Sequence, residues 1–315
     1  MPQLRLLALP LLFVAVSQVF PRSVAQAQVP ETVAPGASLV EEYRDKGYFF
    51  EGPTWDPASD KLYFTAFPTD GKKDTQIWRL EGRGNKTIWA RKTEGTNGTY
   101  LGRDGRLIGA QAYGHRVLSY QLGGEQASDI KTLYENPKLH QPNDVCQVPS
   151  GHIYFTDPDW NEHRTSAVYH LDPNGTARKV ITDMPLPNGI KASNDGRTLY
   201  VGDDVHKNWR SYPIHSDGSV GAGRVFFDPK SDHKDVPDGF TIDEHGNLYL
   251  SGMGGIWVVN PDGKKLGHVP IPEFCSNAAF GGPEGKTLYL TCAGKLYSLA
   301  MKVRGGQLGA SPPAH

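Results

Sequence analysis

Six oxygen-bearing side chains recur at one fixed place in this sequence. Glu51, Asn97, Asn143, Asn188, Asp238 and Asn277 each stand ten or eleven residues before a short phrase of the type Leu-Tyr-apolar-small. Two of the six are anionic and four are neutral amides, a mixture that suits a hard divalent cation, which takes 6–8 oxygen ligands drawn from carboxylates, carbonyls and water. Two carboxylates neutralise a divalent charge. No His/Cys set stands at zinc-ligand spacing, so calcium is favoured over zinc. Turn chemistry is the competing account, because Asn-Gly and Asp-Gly are turn formers. It explains the residue types but neither Glu51-Gly52-Pro53 nor the constant offset.

The elements that must hold these residues follow from the repeat itself. The phrases are Leu62-Tyr63-Phe64-Thr65, Leu107-Ile108-Gly109-Ala110, Ile153-Tyr154-Phe155-Thr156, Leu199-Tyr200-Val201-Gly202, Leu248-Tyr249-Leu250-Ser251 and Leu288-Tyr289-Leu290-Thr291. Their spacing of roughly 40–50 residues is the period of a four-stranded propeller blade. A turn signal such as Asn194-Asp195-Gly196 precedes each phrase, a third strand follows it, and a fourth comes after the next turn, as at Lys131–Tyr134 and Arg224–Phe227. The expectation is an all-β, six-bladed β-propeller of four-stranded blades. The last blade lacks an outer strand, and Ser38–Tyr43 is expected to supply it by pairing with Leu296–Leu299, closing the ring from the N-terminal side.

First strands of propeller blades line the channel, so the six oxygen carriers are expected as a ring near its mouth. The loops after the second strands open on the same face. They bring Gln111, Tyr113 and His115, then Asp157, Asp159, Trp160 and His163, then Asp203, Asp204 and His206. Carboxylates, imidazoles and aromatics above a cation make a reasonable active site. His115, directly after a strand end, is the imidazole singled out for proton transfer.

Composition limits the partners. The 315 residues carry a formal net charge of −1 and no basic cluster, which argues against nucleic acid and anionic membrane surfaces. Arg5, the apolar run from Leu6 to Phe20 and the small residues around Ala25-Gln26-Ala27 have the layout of a secretory signal cleaved after residue 27. Residues 28–37 then read as a linker, 38–300 as the propeller and 301–315 as a tail. The mature chain is expected to be exported, periplasmic or secreted, with no membrane attachment after cleavage. The sequence leaves the oligomeric state open.

Glu51-Gly52-Pro53-Thr54-Trp55, Pro142-Asn143-Asp144, Pro187-Asn188-Gly189-Ile190, Pro237-Asp238-Gly239-Phe240 and Asn277-Ala278-Ala279-Phe280-Gly281-Gly282 together resemble the senescence marker protein (regucalcin) / gluconolactonase / luciferin-regenerating enzyme family, from about Tyr48 to Leu299. The resemblance implies a propeller that binds one catalytic divalent cation and hydrolyses small lactones, typically sugar lactones. It implies Glu51, Asn188 and Asp238 as metal ligands, Asn143 at the edge of metal and substrate, and Asp238 as general base. One departure matters: some members carry Arg, contacting sugar hydroxyls, where this chain has Gln141. Asn97, Gln141, Asn143, Asp157, Trp160, Asp203 and Asp204 are the expected substrate contacts.

Lactone hydrolysis needs a polarised carbonyl, an activated water and stabilisation of an oxyanion, which a cation with open positions can supply. A carboxylate bound to a cation is a poor base, because the cation favours its ionised form. His115 or a carboxylate of Asp203 or Asp204 therefore stands beside Asp238 for that role. Two other functions fit the same residues: a non-catalytic exported sugar- or metal-binding propeller, and an aryl-ester or organophosphate hydrolase.

The cysteines add an expectation of register. If Phe280 faces Thr287 across the last blade's first hairpin, Cys275 falls opposite Cys292. Directly opposed Cα atoms lie ~4.5–5.5 Å apart, within reach of a disulfide in an oxidising compartment. Two buried thiols are the alternative, and Cys146 is unpaired either way.

Overall fold

The Leu-Tyr-apolar phrases explain how the chain packs. In a strand, successive side chains point to opposite faces, and here both faces are buried. Tyr63 joins Leu107 and Leu118 in one cluster, whereas Leu62 and Phe64 join Tyr289 and Leu296 in another. The same division repeats round the molecule: Ile108 packs with Ile153 and Phe155, Tyr154 with Leu199 and Val201, Tyr200 with Leu248 and Leu250, and Tyr249 with Leu288 and Leu290. The second residue of each phrase thus reaches the following blade while its two neighbours reach the preceding one. The core is six interblade layers rather than a single centre.

The computed structural model describes residues 29–306; the expected signal segment and residues 307–315 of the tail lie outside the described residues. Twenty-four strands, numbered β1–β24 in chain order, form six four-stranded antiparallel sheets arranged as a six-bladed β-propeller. The innermost strands are β2 (Tyr48–Asp56), β6 (Thr96–Leu101), β10 (Val145–Gln147), β14 (Pro187–Ala192), β18 (Phe240–Ile242) and β22 (Cys275–Gly281). Closure is as expected. β1 (Val40–Arg44) pairs with β24 (Lys295–Ala300), with Val40 opposite Ser298 and Arg44 opposite Lys295. Packing extends past both expected ends of the propeller: Val33 bridges to Met301, and both are buried together with Val303.

Cys275 does face Cys292, although the premise of that expectation does not hold. Phe280 pairs with Leu288, one residue out of the assumed register, and an irregularity between Cys275 and Asn277 restores the alignment at the cysteines. All three cysteines are buried free thiols in this structure.

Candidate functional site

The irregularities of the inner strands coincide with the oxygen carriers. Register shifts fall between Glu51 and Thr54, Thr96 and Thr99, Pro187 and Ile190, and Cys275 and Asn277. Asn143 and Asp238 instead precede the short strands β10 and β18. A bulge leaves a residue out of the ladder and re-aims its side chain. Of the four glycines that follow carriers, Gly98, Gly189 and Gly239 are required by packing rather than by a turn, and Gly52 by both, since its backbone is left-handed at φ 47°. A Cβ on Gly98 would lie 1.7 Å from Asp144 Oδ1, one on Gly189 2.1 Å from the Asp238 carbonyl, and one on Gly239 2.0 Å from Asn277. Neighbouring blades meet there through Gly98 N–H to Asn143 O at 2.7 Å and Gly239 N–H to Ser276 O at 2.7 Å.

Glu51, Asn97, Asn143, Asn188 and Asp238 come together in a cavity of about 300 Å³ that Phe49, Phe67, Ala112, Tyr113, Gln141 and Trp160 also line. Glu51 Oε2 accepts from Gly52 N at 2.9 Å and from Asn277 Nδ2 at 3.1 Å, and Asp238 Oδ1 accepts from Gly239 N at 3.0 Å. These bonds fix each carboxyl by one oxygen. The amide oxygens of Asn97 and Asn188 are buried without a partner.

The electrostatics are those of crowded acids. Burial, reinforced by Asp144, pushes Glu51 up to about 8. Burial, reinforced by Glu51, Asp204 and Asp144, holds Asp238 well above the carboxylate range. Asp144 is raised to about 6 by burial, against the pull of the buried Lys191 ammonium. Unsatisfied oxygens beside mutually repelling carboxyls fit a hard divalent cation, which would satisfy both at once. Carboxylates and imidazoles alone form no three-residue metal cage among the described residues, so the amides are essential to any such site.

Several expected residues lie elsewhere. Asn277 is not an oxygen donor to the channel: its Oδ1 accepts from Ala278 N at 2.9 Å, and its Nδ2 faces Glu51 and Asp144. His115 is not on the cavity wall. It sits in a left-handed turn at φ 51°, where its Nδ1 lies 2.8 Å from the Leu139 carbonyl. Asp203 fastens its own loop, accepting from Val205 N, His206 N and the His206 ring, and Asp157 accepts from Gln141 N at 2.9 Å. Each carboxylate thus gives one oxygen to backbone donors that a strand end leaves free, and the second oxygen of Asp157 is buried without a partner. Asp204 stands behind the site, where its Oδ2 accepts from Asn188 Nδ2 at 3.3 Å.

Sequence reasoning missed Asp144, Lys191, Phe49 and Phe67. Phe49 was within reach, because period two puts it on the same strand face as Glu51. Phe67 is its cross-strand partner. Asp144 and Lys191 become neighbours only when blades three and four meet.

Fold and site together define a six-bladed β-propeller whose inner strands gather buried carboxyls and partnerless amide oxygens in one cavity. The chain belongs to the SMP-30/gluconolactonase/LRE-like family, whose characteristic region matches residues 49–294. It is 29% identical over 230 residues to a gluconolactonase from Zymomonas mobilis, covering 67% of this chain and 64% of that protein. A pentonolactonase from Haloferax volcanii is 25% identical over 248 residues, covering 78% and 81%. Among solved structures, a candidate gluconolactonase superposes with a TM-score of 0.77 at 28% identity, covering 89% of this chain and 98% of its own.

Proposed function

We propose that this chain is an exported hydrolase of small lactones that depends on a divalent cation, with calcium favoured by the all-oxygen donor set. The observation that carries this reading is the gathering of the buried carboxyls Glu51 and Asp238, both raised by burial and by neighbouring acids, with the partnerless oxygens of Asn97 and Asn188 in one open cavity. Membership of a family with named lactonases supports the reaction class. The apolar run ahead of residue 27 supports export.

Glu51, Asn188 and Asp238 would hold the cation, with Asn97 and Asn143 at its edge. Once bound, it supplies a Lewis acid for the lactone carbonyl and lowers the pKa of coordinated water. The residues around it divide the remaining work. Asp204 orients the Asn188 amide, leaving its oxygen toward the channel. Asn277 and Gly52 together fix one Glu51 oxygen, and Gly239 N–H fixes one Asp238 oxygen. Asp238 Oδ1 is held by Gly239 N–H, and the same carboxylate would take the proton of attacking water only as far as the cation, which favours its ionised form, allows; His115, bonded toward Leu139, is off the cavity wall. The aromatic wall limits the access of bulk water to the bound ring.

The test is activity after chelation. Lactone hydrolysis should vanish with a chelator and return with calcium. Undiminished turnover in the metal-free protein refutes the cation's role. Hydrolysis of a phosphotriester but no lactone refutes the reaction class.

A further inference from the structure

Resting on the lactone-hydrolase reading, we infer that the substrates of this site carry an apolar substituent on the lactone ring rather than the hydroxyl groups of a sugar. The lining of the cavity is divided. Glu51, Asn188 and Asp238 are buried, and with the half-buried Asn97 and Asn143 they are the polar side chains assigned above to the reacting centre. The remaining lining is Phe49, Phe67, Ala112, Tyr113 and Trp160, with Gln141 the one further amide.

The wall is a built surface. Phe49 and Phe67 stand directly opposite each other across β2 and the next strand. The Phe67 ring meets Tyr113 edge-on at 6.5 Å, and Phe49 stacks on Phe274 at 6.2 Å. Tyr113 and Trp160 keep 36% and 37% of their surface exposed. Exposed aromatics flanking a concave site give a ligand's apolar portion something to cover. Lys73, 5.0 Å from the centre of the Tyr113 ring, is exposed and lies outside the wall.

A polyhydroxylated ring bound here would place several hydroxyls against carbon. Each hydroxyl stripped of water without a partner costs roughly ten- to a hundredfold in binding, and outside the reacting centre only the Gln141 amide, the Tyr113 hydroxyl and the Trp160 indole N–H are there to relieve it. An alkyl chain in the same position gains up to roughly fourfold per buried methylene.

Three lactones with the same six-membered ring separate these outcomes: δ-valerolactone, δ-decalactone and D-glucono-δ-lactone. For each, kcat/KM on the calcium-loaded protein is divided by the rate constant for hydroxide-driven hydrolysis, which removes intrinsic reactivity. The normalised value should rise at least about tenfold from δ-valerolactone to δ-decalactone, with glucono-δ-lactone lowest. Trp160→Ala should reduce the decalactone-to-valerolactone ratio by at least about threefold. A flat series, a glucono-δ-lactone maximum or an unchanged ratio in Trp160→Ala overturns the inference while leaving lactone hydrolysis standing. Failure to hydrolyse any of the three overturns the lactone reading itself, and this inference with it.

Discussion

Gly189→Ala probes how the blades set the site without touching any group that would bind a ligand. Position 189 needs no left-handed backbone, so the substitution adds only a methyl group. That methyl would lie 2.1 Å from the Asp238 carbonyl oxygen, 2.7 Å from its carbon and 2.8 Å from Gly239 Cα. All three are backbone atoms, and no rotamer change can clear them. Restoring an ordinary contact of about 3.4 Å requires the strands bearing Asn188 and Asp238 to part by roughly 1.3 Å. Calcium–oxygen distances span only about 2.3–2.6 Å, so one ligand or the other must be lost or stretched. The expected result is at least a tenfold weaker calcium affinity by calorimetry. Lactone turnover in a pH-stat should fall on the order of a hundredfold, as misplacement near 1 Å does elsewhere. Overpacking should cost about 1–3 kcal/mol in stability, visible as a lower melting temperature that excess calcium only partly restores. Gly47→Ala is the control, since its nearest neighbour is the end of the Asp45 side chain at 3.3 Å. Wild-type affinity and turnover in Gly189→Ala would refute the reasoning that blade spacing sets the site.

Three further outcomes are expected. Asp238→Ala and Glu51→Gln should each lose calcium affinity and activity together while circular dichroism stays that of a folded propeller; Asp238→Ala binding calcium like the parent removes it from the donor set. In chelated protein, stability should fall as pH rises from 6.5 to 8, by on the order of 1–2 kcal/mol. Burial holds Glu51 near 8 when folded against 4.5 unfolded, so the folded state binds the extra proton there; the His170 and His268 rings, lowered to about 4 by burial, oppose this only at the low end of the window, where unfolded imidazoles near 6.5 still carry part of a proton. Melting curves with and without calcium check this, and a slope of the opposite sign refutes it. Thiol counting on denatured, unreduced protein should give three, as in this structure; one thiol would mean that Cys275 and Cys292 are bridged.

How much could be read in advance depended on whether a property was local. The Leu-Tyr phrases encode a strand buried on both faces, so blade number and the closing partner of Leu296–Leu299 were open to inspection. The constant offset of Glu51 and its counterparts put them on equivalent turns of the chain, which symmetry then carried to one mouth. What failed was orientation. Nothing around His115 announces that its ring turns toward Leu139, nor that Asp157 and Asp203 each give an oxygen to neighbouring backbone N–H groups. Asn277 has the right type and place, yet a single bond to Ala278 N turns its nitrogen inward. The glycines after Glu51, Asn97, Asn188 and Asp238 read as turn chemistry because the approach of the next blade's backbone is invisible in one dimension.

The clasp between the first and last strands has a consequence for how this molecule comes into being. Val40 and Ser298 pair from opposite ends of the described chain, and the Ser298 hydroxyl reaches Glu42 at 2.6 Å. Until the final strand has been synthesised, the first one has no neighbour to hold it, and the layer containing Leu62, Phe64 and Tyr289 has only one side. Nascent or clipped chains therefore expose a bare strand edge and a greasy flank together, the combination most prone to non-native association. Joining distant ends also makes the last step slow in topological terms. Trimming as far as Arg44 should for the same reason be far more damaging than its few residues suggest, turning a ring into an open, adhesive horseshoe.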